Sequence, residues 1–274
     1  MRSPSPLLSA VDLELAIGGR TLFRGLSFEI AAGECWVILG RNGSGKTTLL
    51  HTLAGLRRPA GGRVLMQGTP LEALPRRELA RQRGLLQQDS VDVFPATVLE
   101  TVLGGRHPHL SRWGPEPRES HDIARAAIAT VGMEARSDSD VRTLSGGERR
   151  RVALAALLAQ APSLYLLDEP SSHLDLHYQL ELLDLLHRTV REDGKALLMV
   201  LHDLNLAARY ADHLIVLDGT ATRAGPASAL LDADALSRLY GVALRAVGDG
   251  ASRAFVPHRG SGDAGAAGTA ADRR

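Results

Sequence analysis

The chain of 274 residues is long enough to bury one sizeable core, and its formal net charge is +1. Acidic and basic residues are mixed along it, without the basic stripe that neutralises a phosphate backbone, so we expect no nucleic-acid partner. No run approaches the roughly 18 apolar residues that cross a bilayer, and the N-terminus lacks an export pattern. We therefore expect a folded chain that stays in the cytosol.

The first strands are predicted by alternating apolar and polar residues at 11–17 and 22–30, which favour an antiparallel pair. An apolar run then leads into a glycine-rich loop and a predicted helix over 45–54. Later apolar runs at 164–167 and 196–201 end on polar residues. Near-continuous apolar strands with helices between them predict a mainly parallel sheet that is buried on both faces.

Three later segments are predicted to be helical. Apolar side chains recur at steps of three and four over 176–190, which predicts an amphipathic helix, and 124–131 and 146–160 also indicate helices. The final segment, 248–274, is rich in glycine, alanine, aspartate and arginine and offers little that could join a core. We predict that this tail is disordered.

The loop at 40–47 fits the pattern G-x-x-x-x-G-K-[ST] and lies between a predicted strand and a helix. Glycines let backbone N–H groups surround an anion, and the helix presents its positive N-terminal end. Lys46 adds a mobile positive charge, and the Thr47 hydroxyl has the right reach for Mg²⁺. The flanking elements disfavour the alternative of a glycine-rich turn with a stray lysine. The predicted nucleoside triphosphate site consists of Gly40, Arg41, Asn42, Gly43, Ser44, Gly45, Lys46, Thr47 and Thr48.

Two carboxylates, Asp168 and Glu169, follow a predicted parallel strand at the edge where open α/β sheets bind ligands. We expect Asp168 to hold Mg²⁺ through water and Glu169 to activate the attacking water as a general base. The alternative for this pair is a solvated strand end. His202 ends the next apolar run in the same way and is expected to donate a hydrogen bond to the γ-phosphate, although a lone histidine is more often structural.

The motif LSGGE at 144–148, upstream of LLDE at 166–169, resembles the signature of ATP-binding cassette (ABC) proteins, and the resemblance covers residues 7–240. It implies an α/β fold: a P-loop ATPase cassette with a mainly parallel core sheet, an N-terminal antiparallel β part and a helical subdomain at about 90–160 that carries LSGG. It also implies a two-fold dimer, in which the signature of one copy caps the ATP bound to the other. The signature residues are Ser145, Gly146, Gly147 and Glu148.

Other positions also resemble functional positions of the family. Gln88 resembles the loop glutamine that reaches Mg²⁺ and water, and His202 resembles the switch histidine. The segment 172–175 resembles the D-loop along the dimer seam, which implies that Asp175 belongs to the nucleotide site. Ile17 departs from the pattern, because the family usually has an aromatic side chain there that stacks on adenine. Isoleucine lacks the aromatic quadrupole, so we expect weaker discrimination between bases.

A single cassette without membrane segments resembles the energy-supplying subunit of a transporter that is assembled from separate chains. The resemblance implies a homodimer that binds ATP and Mg²⁺, polytopic membrane permease subunits and, indirectly, a substrate-binding protein. It places the chain peripherally on the cytoplasmic face of the inner (plasma) membrane. Two alternatives stay open: a soluble regulatory ATPase that acts on a protein partner, and a P-loop kinase, which the LSGG motif disfavours.

The segment 94–114 lies where the family contacts its membrane subunits, and it contains an exposed-looking Trp113 in a turn-rich stretch. Its Gly-Arg-x-Pro-His run at 105–109 resembles importers for iron-siderophore complexes, haem and cobalamin. An ordinary surface loop is the alternative. His107 and His109 alone are weak evidence for a metal site.

Overall fold

The computed structural model describes residues 6–88, 95–110, 117–172, 174–219, 221–248 and 253–258. Its strands are β1 (Leu8–Ile17), β2 (Arg20–Ile30), β3 (Cys35–Gly40), β4 (Gly61–Met66), β5 (Thr69–Pro70), β6 (Arg83–Leu86), β7 (Leu164–Asp168), β8 (Ala196–Val200), β9 (His213–Leu217), β10 (Arg223–Pro226), β11 (Leu244–Val247) and β12 (Ala254–Pro257). Its helices are α1 (Lys46–Leu53), α2 (Arg76–Gln82), α3 (Val98–Gly104), α4 (Arg118–Thr130), α5 (Gly146–Gln160), α6 (Leu176–Asp193), α7 (Leu204–Tyr210), α8 (Ala227–Leu230) and α9 (Ala233–Tyr240).

The central sheet has the strand order β10-β9-β3-β8-β7-β6 within the described residues. Strands β9, β3, β8, β7 and β6 run parallel, and β10 pairs antiparallel with β9 at one edge. Alternate side chains of β3 enter two different cores: Val37 and Leu39 enter one, and Trp36 and Ile38 enter the other. All four are buried, so the prediction of a parallel sheet covered on both faces is confirmed.

Each face of the central sheet is covered by different elements. One core joins the sheet to helices α3 to α7 and α9, and the other joins it to α1 and to the N-terminal strands. Those strands form an antiparallel sheet with the order β2-β1-β4-β5, which confirms the predicted antiparallel pair. The fold is therefore α/β with a separate antiparallel part, as the sequence predicted.

Helices α3, α4 and α5 contact one another and form the helical part of the chain. Two of them begin with capping boxes. The hydroxyls of Thr97 and Ser145 accept hydrogen bonds from the backbone N–H groups of Glu100 and Glu148, and the carboxylates of these glutamates accept from the backbone N–H groups of Thr97 and Ser145. The predicted helix at 146–160 has the bounds of α5, whereas the helix predicted at 124–131 begins earlier, at Arg118. No helix among the described ranges has both the length and the apolar character that a bilayer crossing requires.

The predicted disorder of the C-terminal segment is wrong for residues 253–258. There β12 pairs with β11 as an antiparallel hairpin, and the Phe255 side chain is only 3% exposed. The N–H of Phe255 donates to Oδ1 of Asn205 in α7 at 2.7 Å. These contacts offset the ordering entropy of a segment whose composition alone suggested disorder. The rest of the predicted tail, 249–252 and 259–274, lies outside the described residues, as does Trp113.

Gly105, directly after α3, lies close to the backbone of α5. A Cβ atom on Gly105 would lie 2.0 Å from the carbonyl oxygen of Ala156 in α5. Because backbone must shift to relieve this clash, we expect Gly105→Ala to lower the free energy of unfolding by about 2 kcal/mol. Chemical denaturation measures the change.

The matched control is Gly104→Ala, because a Cβ at Gly104 would meet nothing within 4 Å and its position is helical. We expect this variant to keep or slightly raise the stability. Equal stabilities of the two variants would contradict the close approach.

Candidate functional site

Four neighbouring parallel strands direct their carboxyl ends to the same edge of the central sheet. β3 leads into the glycine-rich loop and β7 ends at Asp168, while Gln88 and His202 follow β6 and β8 closely. An open cavity of about 610 Å³ lies at this edge, within the range of small-molecule sites. Its lining residues are Ile17, Asn42, Gly43, Gly45, Lys46, Thr47, Thr48, Gln88, Glu169 and His202.

The glycine-rich loop takes a conformation that depends on Gly43 and Gly45, which have φ values of 75° and 97°. At Gly45 a side chain would also strike Leu22, because an added Cβ would lie 2.6 Å from its Cδ1 atom. Helix α1 begins at the next residue, Lys46, so its unpaired N–H groups and positive dipole end adjoin the cavity. The loop conformation fits the predicted anion site, and the binding role of its residues stays a prediction.

Lys46 is 6% exposed, and its Nζ donates to the carbonyl oxygens of Gly40 (3.0 Å) and Arg41 (3.1 Å). Burial lowers the pKa of Lys46, and the negative charges of Glu169 and Asp168 oppose that shift. The ammonium group is therefore desolvated and lies close to two carboxylates. A desolvated cation interacts strongly with a bound anion, because little water screens it.

Asp168 ends β7 and is 1% exposed. Burial raises its pKa, while a hydrogen bond from the Thr47 hydroxyl opposes the rise. Within the part of the chain that the structure describes, its Oδ1 atom has no hydrogen-bond partner. A buried carboxylate oxygen without a partner, beside a threonine hydroxyl, fits a hard cation that prefers oxygen ligands.

Glu169 is the point where several site residues meet. Gln88 Nε2 and Ser172 Oγ donate to its Oε2 at 3.1 and 3.0 Å, and His202 Nε2 hydrogen-bonds to its Oε1. Burial tends to raise the pKa of Glu169, but the hydrogen bonds from His202 and Ser172 and the charges of His202 and Lys46 outweigh it. The pKa is therefore lowered, and the carboxylate is held in its ionised form.

Some predicted site residues do not line this cavity. Gly40, Arg41 and Ser44 lie in the loop but are not among the lining residues, and Asp168 is buried at the end of β7 and is not among them either. Ser145 caps α5, and Asp175 caps α6 by accepting from the N–H of Tyr178 at 3.0 Å. The predicted site residues that lie outside both the loop and the cavity lining are Ser145, Gly146, Gly147, Glu148 and Asp175.

Two further residues, Ser172 and Arg150, contribute to the site without having been predicted to do so. The hydroxyl of Ser172 binds Glu169, although only the surrounding segment was singled out by its resemblance. Arg150 donates hydrogen bonds to carbonyl groups at the ends of β6 and β7. Its only sequence signal was its place among three consecutive arginines directly after the LSGGE motif.

The Gly-Arg-x-Pro-His segment packs against its own chain. Arg77 and Arg81 of α2 donate to the carbonyl oxygen of Pro108 at 2.9 and 2.8 Å, and His109 Nε2 hydrogen-bonds to the carbonyl oxygen of Gln160 at 2.8 Å. No group of three or more metal-ligating side chains occurs in the described ranges. The contact of this segment with membrane subunits stays a prediction.

The sequence pattern of the ABC transporter family matches residues 23–172. The chain belongs to this family. As an ABC transporter ATPase, it binds ATP and hydrolyses it to power transport.

Curated relatives match this ABC ATPase over nearly its whole length. It is 40% identical over 246 residues to the ferric enterobactin transport ATP-binding protein FepC of Escherichia coli (strain K12), covering 88% of this chain and 90% of that protein. It is 41% identical over 272 residues to the hemin import ATP-binding protein HmuV of Burkholderia thailandensis, covering 92% of this chain and 100% of that protein.

Solved structures show the same cassette fold. An ABC transporter in an inward-facing conformation matches with a TM-score of 0.80 and 25% identity, covering 93% of this chain and 98% of that one. The dimeric post-hydrolysis structure of the ATP-binding cassette MJ0796, bound to ADP and Pi, matches with a TM-score of 0.69 and 27% identity, covering 80% and 98%.

His202 is one of the groups that keep the pKa of Glu169 low, so we expect His202→Ala to raise it, because the burial of Glu169 then acts with less opposition. Ionised Glu169 stabilises the fold above the pKa of the unfolded chain, and this contribution disappears as pH falls through the lower folded pKa. The variant should therefore lose less stability on acidification. Titration of the Glu169 carboxyl carbon by NMR measures the shift.

The control is His177→Ala, which removes an exposed histidine from α6. It should leave the titration of Glu169 unchanged. An unchanged or lower Glu169 pKa in His202→Ala would contradict the assignment of the hydrogen bond.

Proposed function

We propose that this ABC ATPase energises an importer whose cargo is an iron-siderophore complex or haem. The observation that carries the proposal is its 40–41% identity, over about nine tenths of its length, to proteins named for ferric enterobactin transport and hemin import. Two relatives from Bacillus subtilis are named for siderophore transport and iron(3+)-hydroxamate import. Cobalamin, the third cargo suggested by the Gly-Arg-x-Pro-His run, has no such support and is the weaker candidate.

ATP binds with its phosphates on the loop at 40–47 and the N-terminus of α1 in this proposal. Lys46 exchanges carbonyl contacts for phosphate oxygens, since its Nζ already lies at the loop. Thr47, Gln88 and Asp168 would hold Mg²⁺, and the unpartnered Oδ1 of Asp168 supports this ligand set. Bound there, Mg²⁺ would neutralise charge on the outer phosphates.

Glu169 is the general base of hydrolysis in this proposal. Its low pKa keeps the carboxylate ionised, and its contact with Gln88 brings a second polar group to the same point. Gln88 orients the attacking water, and His202 donates a hydrogen bond to the γ-phosphate. Ile17 lines the cavity, is 41% exposed and packs on the adenine ring of ATP. The weaker discrimination between nucleotide bases that follows from Ile17 stays a prediction.

The functional unit that we propose is a homodimer bound to polytopic permease subunits on the cytoplasmic face of the inner membrane, with a substrate-binding protein acting through the permease. Ser145, Gly146, Gly147 and Glu148 of the second copy cap the ATP, with Asp175 at the seam. Their position away from the cavity of their own chain supports this arrangement, as does the dimeric form of the MJ0796 structure. We assign residues 7–240 to the ATPase domain, with a helical subdomain at about 90–160.

Glu169→Gln should leave ATP binding intact and reduce ATP turnover by roughly 100-fold or more, because an amide cannot accept the proton of the attacking water. Equilibrium binding of ATP and steady-state release of phosphate measure the two effects. Glu181→Gln, which changes an exposed carboxylate of α6, is the control and should behave as the unchanged chain. Wild-type turnover in Glu169→Gln would remove Glu169 from the role.

Uptake by cells that lack this chain tests the cargo. Cells complemented with the chain should recover uptake of a ⁵⁵Fe-labelled siderophore or of haem, whereas cells complemented with Glu169→Gln should not. Uptake of labelled cobalamin alone would overturn the proposed cargo. Purification of the chain in a soluble complex without any polytopic membrane subunit would favour a regulatory ATPase instead.

A further inference from the structure

Arg150 lies near the start of α5 and directs its guanidinium group at the backbone where β6 and β7 end. Nη1 faces the segment after β6, and Nη2 and Nε face the segment at the end of β7. The acceptors are the carbonyl oxygens of Gln87, Gln88 (3.2 Å), Asp168 (2.8 Å), Glu169 (2.9 Å) and Pro170 (3.3 Å).

The chemistry of this contact is specific to arginine. A guanidinium group has five N–H donors in one rigid plane, and at Arg150 they are directed at five carbonyl groups. A lysine ammonium group has three donors at a single point and cannot reach both strand ends in this way. The contact therefore fixes the separation of the two strand ends as well as their position.

The backbone that Arg150 holds is strained at one residue. Glu169 has a φ of 46°, a left-handed conformation that is unfavourable for a residue other than glycine. Nη2 of Arg150 donates hydrogen bonds to the carbonyl oxygens of Asp168 and Glu169. These two carbonyl groups lie on either side of the strained torsion angles. The same guanidinium group binds the carbonyl of Gln88, whose side chain contacts the Glu169 carboxylate at 3.1 Å.

We propose that Arg150 is a positioning residue for ATP hydrolysis, which sets the Gln88 and Glu169 side chains relative to each other through their backbone carbonyls. The inference rests on the proposed role of Glu169 as the general base. Arg150 itself touches neither ATP nor the attacking water in this proposal. Its removal should therefore affect the chemical step more than the binding of ATP.

The test is Arg150→Lys in the full-length chain, which keeps the charge and loses the planar fork of donors. We expect kcat for ATP hydrolysis to fall roughly 10-fold and KM for ATP to change less than about threefold, since a small displacement of catalytic groups slows the chemistry without removing binding contacts. The control is Arg125→Lys on α4, which changes an exposed arginine of the same helical part and should stay within about twofold of the unchanged chain.

A double variant tells whether Arg150 acts through Glu169. In a Glu169→Gln chain the base is already lost, so adding Arg150→Lys should lower kcat by less than about threefold. A further tenfold loss would overturn the proposal, as would an Arg150→Lys chain with unchanged kcat or with an effect confined to KM. Wild-type turnover in Glu169→Gln alone would refute the role of Glu169 and overturn the Arg150 proposal with it, whereas the other contrary results, obtained with an inactive Glu169→Gln, would overturn the Arg150 proposal alone.

Chemical rescue provides a second measurement if Arg150→Lys folds poorly. In Arg150→Ala, added ethylguanidinium should restore part of kcat, whereas ethylammonium should not, because only the former supplies the fork of donors. Equal effects of the two cations would contradict a positioning role for the guanidinium group.

Discussion

Burial of the parallel sheet on both faces is the constraint on which the site depends. Because strands such as β3 and β8 are buried along their whole length, polar side chains have no place within them. Polar chemistry is confined to the points where the strands end. Since the strands run parallel, those ends share one edge, and the glycine-rich loop, Gln88, Asp168 and His202 meet there.

Glu169 shows what this edge requires of the backbone. Glu169 directly follows β7 and lines the cavity, and its backbone has a left-handed conformation with a φ of 46°. Gln88 and His202, which are distant in sequence, and the nearby Ser172 form hydrogen bonds with the side chain, and Arg150 holds the neighbouring carbonyls. A costly local conformation is thus stabilised largely by contacts from residues that are distant in sequence.

Most of the fold could be predicted from the sequence, because the informative signals are local. Apolar runs and the loop pattern at 40–47 each determine a structure within a few neighbouring residues. Glu169 and His202 could be placed at the cavity because each follows an apolar run that predicts a strand, whereas Gln88 was identified only by its resemblance to the family.

The predictions failed where structure depends on contacts between distant residues. Strand β12 has four residues, and Phe255 is ordered by α7, 50 residues earlier in the chain. Arg150 binds carbonyls 62 and 18 residues away, so no local pattern distinguishes it from its neighbours Arg149 and Arg151. Composition indicates which structure a segment favours in isolation, whereas tertiary contacts determine the structure of these segments in the folded chain.

The two carbonyl groups that bind Lys46 bear on which anions can occupy the loop. Two of the three donors of its ammonium group are directed at the carbonyl oxygens of Gly40 and Arg41, so an anion that takes more than one donor must exchange those contacts for its own. A singly charged ion gains little from that exchange, whereas a triphosphate brings several charges to the desolvated ammonium group and the helix end at once. On this reasoning the loop favours ligands that carry several negative charges over singly charged ions such as chloride.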